Sequence, residues 1–478
     1  MKAGTEENAT SRSSQGSKST ARQEPFARVA PVLRAALLLG VCGGFTLATI
    51  LTLSYALALP LGTWWAALAQ AHGHLQLYGW AGLFVLGVAL HFLPRLRGTP
   101  LAAPALVPWL LGAQVVSLCL RALSQPALVI TGALPWRVLL IGSGILEAAA
   151  LIGAIVLLGL TFLHGPALAT RPAFKSTLLL MAGACCALAL AGISNLVNTV
   201  QAAASSGLVN QAGDDLNVTI GLFGFLVSMA LAMSVRSLPM YAGLEAFPGR
   251  IIRPLSTLYL LGVTLLCLGT LPLAWAAWLE GAGMCLAGGT LLLFICAFLL
   301  LMRTRGRLPQ RVGQLAPHPQ TLAQSYRRQV SHESRTYGPF VTLVGSAYLW
   351  AALGGALLMV NGIGLLLHGS PIISMDAIRH CLALGFIALL ICGIAPRMLP
   401  GFSGGKIVSA KLVHATLWLG NIAAFLRVAT LLLPPLFLAP GPAEQALITF
   451  AFGLSGPVGL ALAACLLVNL WPALHQAA

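Results

Sequence analysis

Three histidine residues lie within apolar stretches of this sequence, where an imidazole is costly unless it has a role. His72 and His74 are in the segment AHGHLQLYGW, and His380 is in RHCLALGF. A b-type haem takes one imidazole below and one above its iron, from separate segments of the chain. Polar groups inside an apolar helix bundle indicate function by default. We therefore predict that His74 and His380 bind a haem b. His72 is the alternative to His74, and an ordinary interfacial role is the alternative for all three.

Charged residues accompany these histidines. Arg379 directly precedes His380, and a guanidinium can pair with the haem propionates in a bidentate way; a simple interfacial anchor is the alternative. Glu147 is the only carboxylate near the middle of an apolar run, and Arg427 is a cation that could pair with it. An intramembrane carboxylate of this kind relays protons or makes a structural contact. The sequence leaves both roles open.

The elements that must position these residues are transmembrane helices. Of 478 residues, 58% are hydrophobic and 8% are charged, whereas about 25% of a soluble domain is charged. Apolar runs long enough to cross about 30 Å of hydrocarbon recur along the whole chain. The sequence therefore predicts an all-α polytopic membrane protein with about twelve transmembrane helices, near residues 31–59, 73–94, 102–124, 136–163, 174–200, 217–240, 253–278, 282–302, 341–367, 376–399, 410–438 and 444–472.

The charges predict how these helices are oriented. Residues 1–28 are polar and low in complexity, which is typical of a disordered tail, and residues 29–478 form the transmembrane domain. With the tail in the cytoplasm, 23 of the 27 Lys and Arg residues fall on the cytoplasmic side, as the positive-inside rule requires. Both termini are then cytoplasmic in a bacterial inner membrane. The net charge of +16 reflects this topology and contact with the lipid bilayer, with no nucleic-acid partner.

The longest basic loop spans residues 303–340 and contains seven arginines. It is either an amphipathic segment on the membrane surface or a plain solvated loop.

An internal repeat organises the predicted helices. Three segments align without gaps, with His74, Thr219 and His380 at the same position and Leu-Pro near the end of each: HLQLYGWAGLFVLGVALHFLP (74–94), TIGLFGFLVSMALAMSVRSLP (219–239) and HCLALGFIALLICGIAPRMLP (380–400). These are the second, sixth and tenth predicted helices, so every fourth helix repeats. The chain is therefore predicted to consist of three pseudo-repeated groups of four helices.

This arrangement resembles subunit I of haem-copper oxidases and nitric oxide reductases. The resemblance implies a low-spin haem held by the second and tenth helices, here by His74 (or His72) and His380. The family's copper takes its histidines from the sixth and seventh helices, which contain none in this sequence. The second histidine of the family's tenth helix is Ile378 here. The binuclear centre is therefore expected to be missing.

A closer resemblance is to the NnrS family of haem- and copper-containing membrane proteins linked to nitric oxide tolerance. His72 and His74 match its H-x-H motif, and His380, Gly385 and Arg397 match a late segment of the form H-A-L-x-x-G with a following Arg. The family's W-H-A-H-E-M is A-H-G-H-L-Q here, and its G-H-T-G-R is G-F-S-G-G, so the ligand set for copper is incomplete.

The resemblance implies a haem-b protein that acts in the nitric oxide response or in electron transfer. Its partners would be nitric oxide or a periplasmic electron carrier, and any enzymatic activity would be that of an oxidoreductase. Two alternatives stay open from the sequence: a cofactor-free transporter or channel, and an accessory subunit of a respiratory complex.

Overall fold

A computed structural model describes residues 26–168, 175–307, 314, 317–436 and 441–475, and the regular structure in these ranges is helical throughout. Twelve of the described helices are long and apolar enough to cross a membrane. We number them in chain order: α1 Ala30–Ala56, α2 Thr63–Arg97, α3 Pro104–Thr131, α4 Leu134–Leu163, α5 Leu178–Ala204, α6 Gln211–Arg236, α7 Gly249–Gly269, α8 Ala276–Met302, α9 Phe340–His368, α10 Met375–Ser403, α11 Ala410–Leu433 and α12 Pro442–His475.

The predicted number and order of helices are confirmed. The largest difference in the bounds is at α2, which begins at Thr63 rather than near residue 73. The segment TWWAALAQ continues the helix, and its partly buried Gln70 hydrogen-bonds to Gln125 of α3 and to the carbonyl oxygen of Val209. His72 is nine residues into α2, about 14 Å from its start at 1.5 Å per residue. The expectation that His72 and His74 lie at the end of this helix is therefore wrong.

Helices α2, α6 and α10 form the centre of the bundle. In their most apolar windows, 89%, 78% and 72% of the residues are buried inside the protein, against 33–44% for the other nine helices. The outer nine pack largely with their sequence neighbours, as α3–α4–α5, α7–α8–α9 and α11–α12–α1. Every fourth helix is thus central, and these are the three helices that share the sequence repeat.

Each central helix is widened at the same point by a π-helical segment. These segments are Leu75–Ala81 in α2, Ile220–Val227 in α6 and Cys381–Ala388 in α10. Each begins one residue after the position shared by His74, Thr219 and His380, and all three contact one another. A π-helical turn holds an additional residue and is frequent at functional sites. The three repeats therefore share a local backbone feature as well as a sequence pattern.

The outer helices present apolar side chains on their outward faces. Trp109, Leu163 and Leu134 are 70–79% exposed, which a soluble protein would avoid and a hydrocarbon environment accommodates. Between α8 and α9 the backbones approach closely: a Cβ on Gly288 would lie 2.6 Å from the carbonyl oxygen of Gly355. Small residues permit such close packing where lipid provides no hydrophobic driving force.

Among the chain segments outside the twelve helices, the two that were singled out in the sequence contact the bundle. Of the predicted tail 1–28, residues 1–25 lie outside the described ranges. Phe26 is buried, with its ring 5.0 Å from that of His91 and 5.8 Å from that of Phe402.

The basic loop contains a helix, Pro319–Tyr337. One face of this helix is half-buried, with Tyr326, Val330 and Glu333 on it. Glu333 pairs with Arg397 of α10 at 2.8 Å, so the helix is docked against the bundle.

Candidate functional site

A cavity of about 360 Å³ lies between the central helices and the outer group of helices α11, α12 and α1. His72 of α2 and His380 of α10 both line it, and we call it the histidine cavity. The rest of the lining is mainly apolar or small, apart from a few polar groups: Gln70, Gln76, Asp214, Asp376, Arg379 and Arg427, with Thr52 and Ser455. The cavity therefore combines an apolar interior with charged groups and two imidazoles.

Both imidazoles are held in the same tautomer. The Nδ1 atom of His72 lies 2.8 Å from the carbonyl oxygen of Gly44, and Nδ1 of His380 lies 2.8 Å from the carbonyl oxygen of Asp376. A carbonyl oxygen only accepts, so Nδ1 must carry the proton in each ring. The Nε2 atoms then keep their lone pairs. This is the arrangement in which a histidine binds a metal, because the other ring nitrogen donates to a fixed acceptor.

Different helices, α1 and α10, position these two acceptors. Gly44 belongs to a π-helical segment of α1, Gly40–Phe45, and a Cβ on Gly44 would come within 2.9 Å of the Gln76 side chain. A larger residue at this position would displace the Gln76 side chain, which also lines the cavity. In α10, Asp376 is in the first turn, one helical turn before His380.

Two arginines line the same cavity, and each is paired with a carboxylate. Arg427 donates from Nη2 to Asp376 at 2.8 Å and from Nε to Nε2 of His380 at 3.3 Å. Arg379 donates to Asp215 at 2.6 Å. Asp376 is 42% exposed, part of it toward the cavity that it lines.

His74 is in a different cluster. Its Nε2 lies 2.8 Å from an oxygen of Glu147 and its Nδ1 lies 3.1 Å from Arg121. Residues two apart in a helix point about 200° away from each other, so His72 and His74 face different sides of α2. The structure places His72, and not the repeat-matched His74, in the cavity with His380.

The expected pairing of Glu147 with Arg427 is wrong. Glu147 is fully buried and pairs with His74, and it accepts a further hydrogen bond from Asn195 at 2.7 Å. Arg427 instead pairs with Asp376. Glu147 is on α4, in the outer group α3–α4–α5, whereas Arg427 is on α11, in the outer group α11–α12–α1.

The cluster around Glu147 includes residues that sequence reasoning missed. Arg121 is buried and donates to Gln125 at 3.4 Å, and Gln125 donates to Gln70 of the histidine cavity at 2.6 Å. The available signal was the run of polar residues at Gln114, Arg121 and Gln125 inside an apolar helix. Its spacing of seven and four residues marks one helix face.

Within the described ranges, no three His, Cys, Asp or Glu residues converge as a conventional site for a bare metal ion requires. A haem needs only two axial ligands, which His72 and His380 could supply.

Comparison with known proteins does not place the chain in a family. No protein-family model matches the sequence, and no curated protein matches it.

Proposed function

We propose that this chain is a haem-b-binding membrane protein in which His72 and His380 are the axial ligands. The observation that supports this most directly is the pair of imidazoles, which come from two different helices and line one cavity. Both present Nε2 with its lone pair. The proposal keeps the two predicted helices and replaces His74 with His72.

The residues around these imidazoles support the proposal of a haem. The cavity volume of about 360 Å³ is in the range of about 300–1,000 Å³ that is usual for cofactor and ligand sites. Small residues such as Ala48, Gly73 and Gly456 line it and leave space for a flat macrocycle. Arg379 and Arg427 would hold the propionates, because guanidinium groups pair with carboxylates in a bidentate way. Arg427 would then exchange its contact with Nε2 of His380 for a propionate.

The function that follows is electron transfer or the response to nitric oxide. A bound haem would supply one-electron chemistry or binding of a diatomic ligand. With both imidazoles as ligands, electron transfer or sensing is favoured over reduction of nitric oxide. The carbonyl groups of Gly44 and Asp376 fix the two rings, and Arg427 stabilises the carboxylate of Asp376. The resemblance to NnrS proteins supports the same function, with nitric oxide or a periplasmic electron carrier as partner.

The charge distribution supports an inner-membrane location with both termini in the cytoplasm. In that orientation the N-terminal ends of α2, α6 and α10 face the periplasm. Asp376 and Arg379, near the start of α10, would then be accessible to a periplasmic partner.

A cofactor-free transporter is the second candidate function. The buried cluster of His74, Glu147 and Arg121 favours it, because transporters place polar binding groups inside the bundle. In this cluster, however, the ring nitrogens of His74 are both hydrogen-bonded and Glu147 has three partners. Because His74 and Glu147 are already engaged in this way, they offer little to a substrate.

The test is a spectrum of the purified protein, dithionite-reduced minus oxidised, after expression with added haem. We expect a sharp α-band in the wild type, lost in His72→Ala and in His380→Ala. His74→Gln is the matched control two residues away and should keep the band. Imidazole added to His72→Gly should restore it, which separates loss of a ligand from misfolding. A wild-type spectrum without an α-band, or a band lost only in His74→Gln, would refute the proposal.

A further inference from the structure

A second, smaller cavity lies along the central helices. Its volume is about 100 Å³, and its lining comes from α2, α6 and α10 and the short helix Leu238–Ala242 that follows α6. Three methionines, Met229, Met233 and Met398, take part in the lining, and we call it the methionine cavity. Leu226 and Ile387 line both this cavity and the histidine cavity. The two cavities are therefore neighbours with these two side chains between them.

The chemistry of the lining selects for a small uncharged molecule. Apart from Ser234, Ser237 and Tyr241 at one end, the lining side chains are apolar. The Ser234 side chain is hydrogen-bonded to Tyr348. A buried water needs two to four polar partners, and apolar cavities stay dry and take up xenon or similar molecules. The thioethers are flexible and polarizable, so they adapt to a guest and attract it by dispersion.

We propose that the methionine cavity is a binding site for a small uncharged gas molecule of two or three atoms. The methionine and aliphatic side chains surround the guest, and Leu226 and Ile387 lie between this site and the histidine cavity. This site does not depend on haem, so it can be tested whether or not haem is present.

The experiment uses crystals of the full chain pressurised with xenon. We expect an anomalous peak among Met229, Met233 and Met398 in the wild type. Ala230 lines the cavity, and Ala230→Leu should fill it and abolish the peak. Ala352 is half-buried like Ala230 but lines neither cavity, so Ala352→Leu should keep the peak.

A solution measurement covers the case in which a variant does not crystallise. Xenon should raise the melting temperature of the wild type and of Ala352→Leu, but not that of Ala230→Leu, because a ligand stabilises only the state that binds it. A wild-type cavity without xenon, or one filled by ordered water bonded to Ser237, would overturn the proposal.

Discussion

The Nε2 atom of His74 lies 2.8 Å from a carboxylate oxygen of Glu147, and neither side chain is exposed to solvent or lipid by more than a few per cent. Arg121 completes the group on the other side of the imidazole. A buried ionic group is strongly destabilised when one partner is removed, because the remaining charge stays buried without compensation.

We therefore expect Glu147→Ala to lower the free energy of unfolding by about 3–5 kcal/mol. Glu147→Gln should cost less, because the amide oxygen can still accept from His74 or Asn195. The measurement is unfolding in detergent, followed by loss of helical circular dichroism. Glu245→Ala, at a half-buried position, is the control and should cost less than about 1 kcal/mol. A loss for Glu147→Ala no larger than that of the control would show that the cluster is not ionic.

The contact of Arg427 with Asp376 and His380 predicts an electrostatic effect on a bound haem. Removing this cation should favour the oxidised, more positive iron and lower its midpoint potential. For Arg427→Gln we expect a decrease on the order of 50 mV, close to a tenfold change in a one-electron equilibrium. The measurement is a redox titration of the α-band.

Arg137→Gln is the matched control, because Arg137 of α4 does not line the cavity and donates instead to a carbonyl oxygen of α5. Its potential should equal that of the wild type. An unchanged or higher potential in Arg427→Gln would contradict the proposed place of haem beside this guanidinium.

The pair formed by Arg397 and Glu333 predicts how firmly the helix Pro319–Tyr337 is docked. The guanidinium of Arg397 also lies 5.1 Å from the ring centre of Tyr337. Because both charged groups are about one-fifth exposed, we expect their pairing to contribute only about 1 kcal/mol. Glu333→Gln should therefore speed tryptic cleavage at Arg327 and Arg328 by about fivefold. Gln320→Ala on the exposed face should not change the rate, and equal rates in both variants would contradict the docking role.

The helices were predictable because hydropathy is a local property. Twelve apolar runs gave twelve helices, and the spacing of the three Leu-Pro segments marked α2, α6 and α10 before any packing was known. The start of α2 was missed because the predicted span began near residue 73. Gln70 and His72 are polar, but both lie within α2 and are partly buried.

The site was only partly predictable, because sequence gives position along a helix but not rotation about its axis. The repeat aligned His74 with His380, yet it is His72 that reaches the cavity. The pairing of Glu147 with Arg427 failed for the same reason. Both residues lie within membrane-spanning helices, but long-range packing decides which neighbouring helices each side chain contacts.

The π-helical segment of α2 divides this helix into two halves whose rotations about the helix axis can differ. One residue more or fewer in Leu75–Ala81 would turn the part on one side by about 100° relative to the other. Such a change would alter the direction in which His72 and His74 point, while the half that contains His91 stays packed against Phe26 and Phe402. A single insertion or deletion usually destabilises a regular helix. In this segment it would instead change the rotation of one half of α2 about the helix axis.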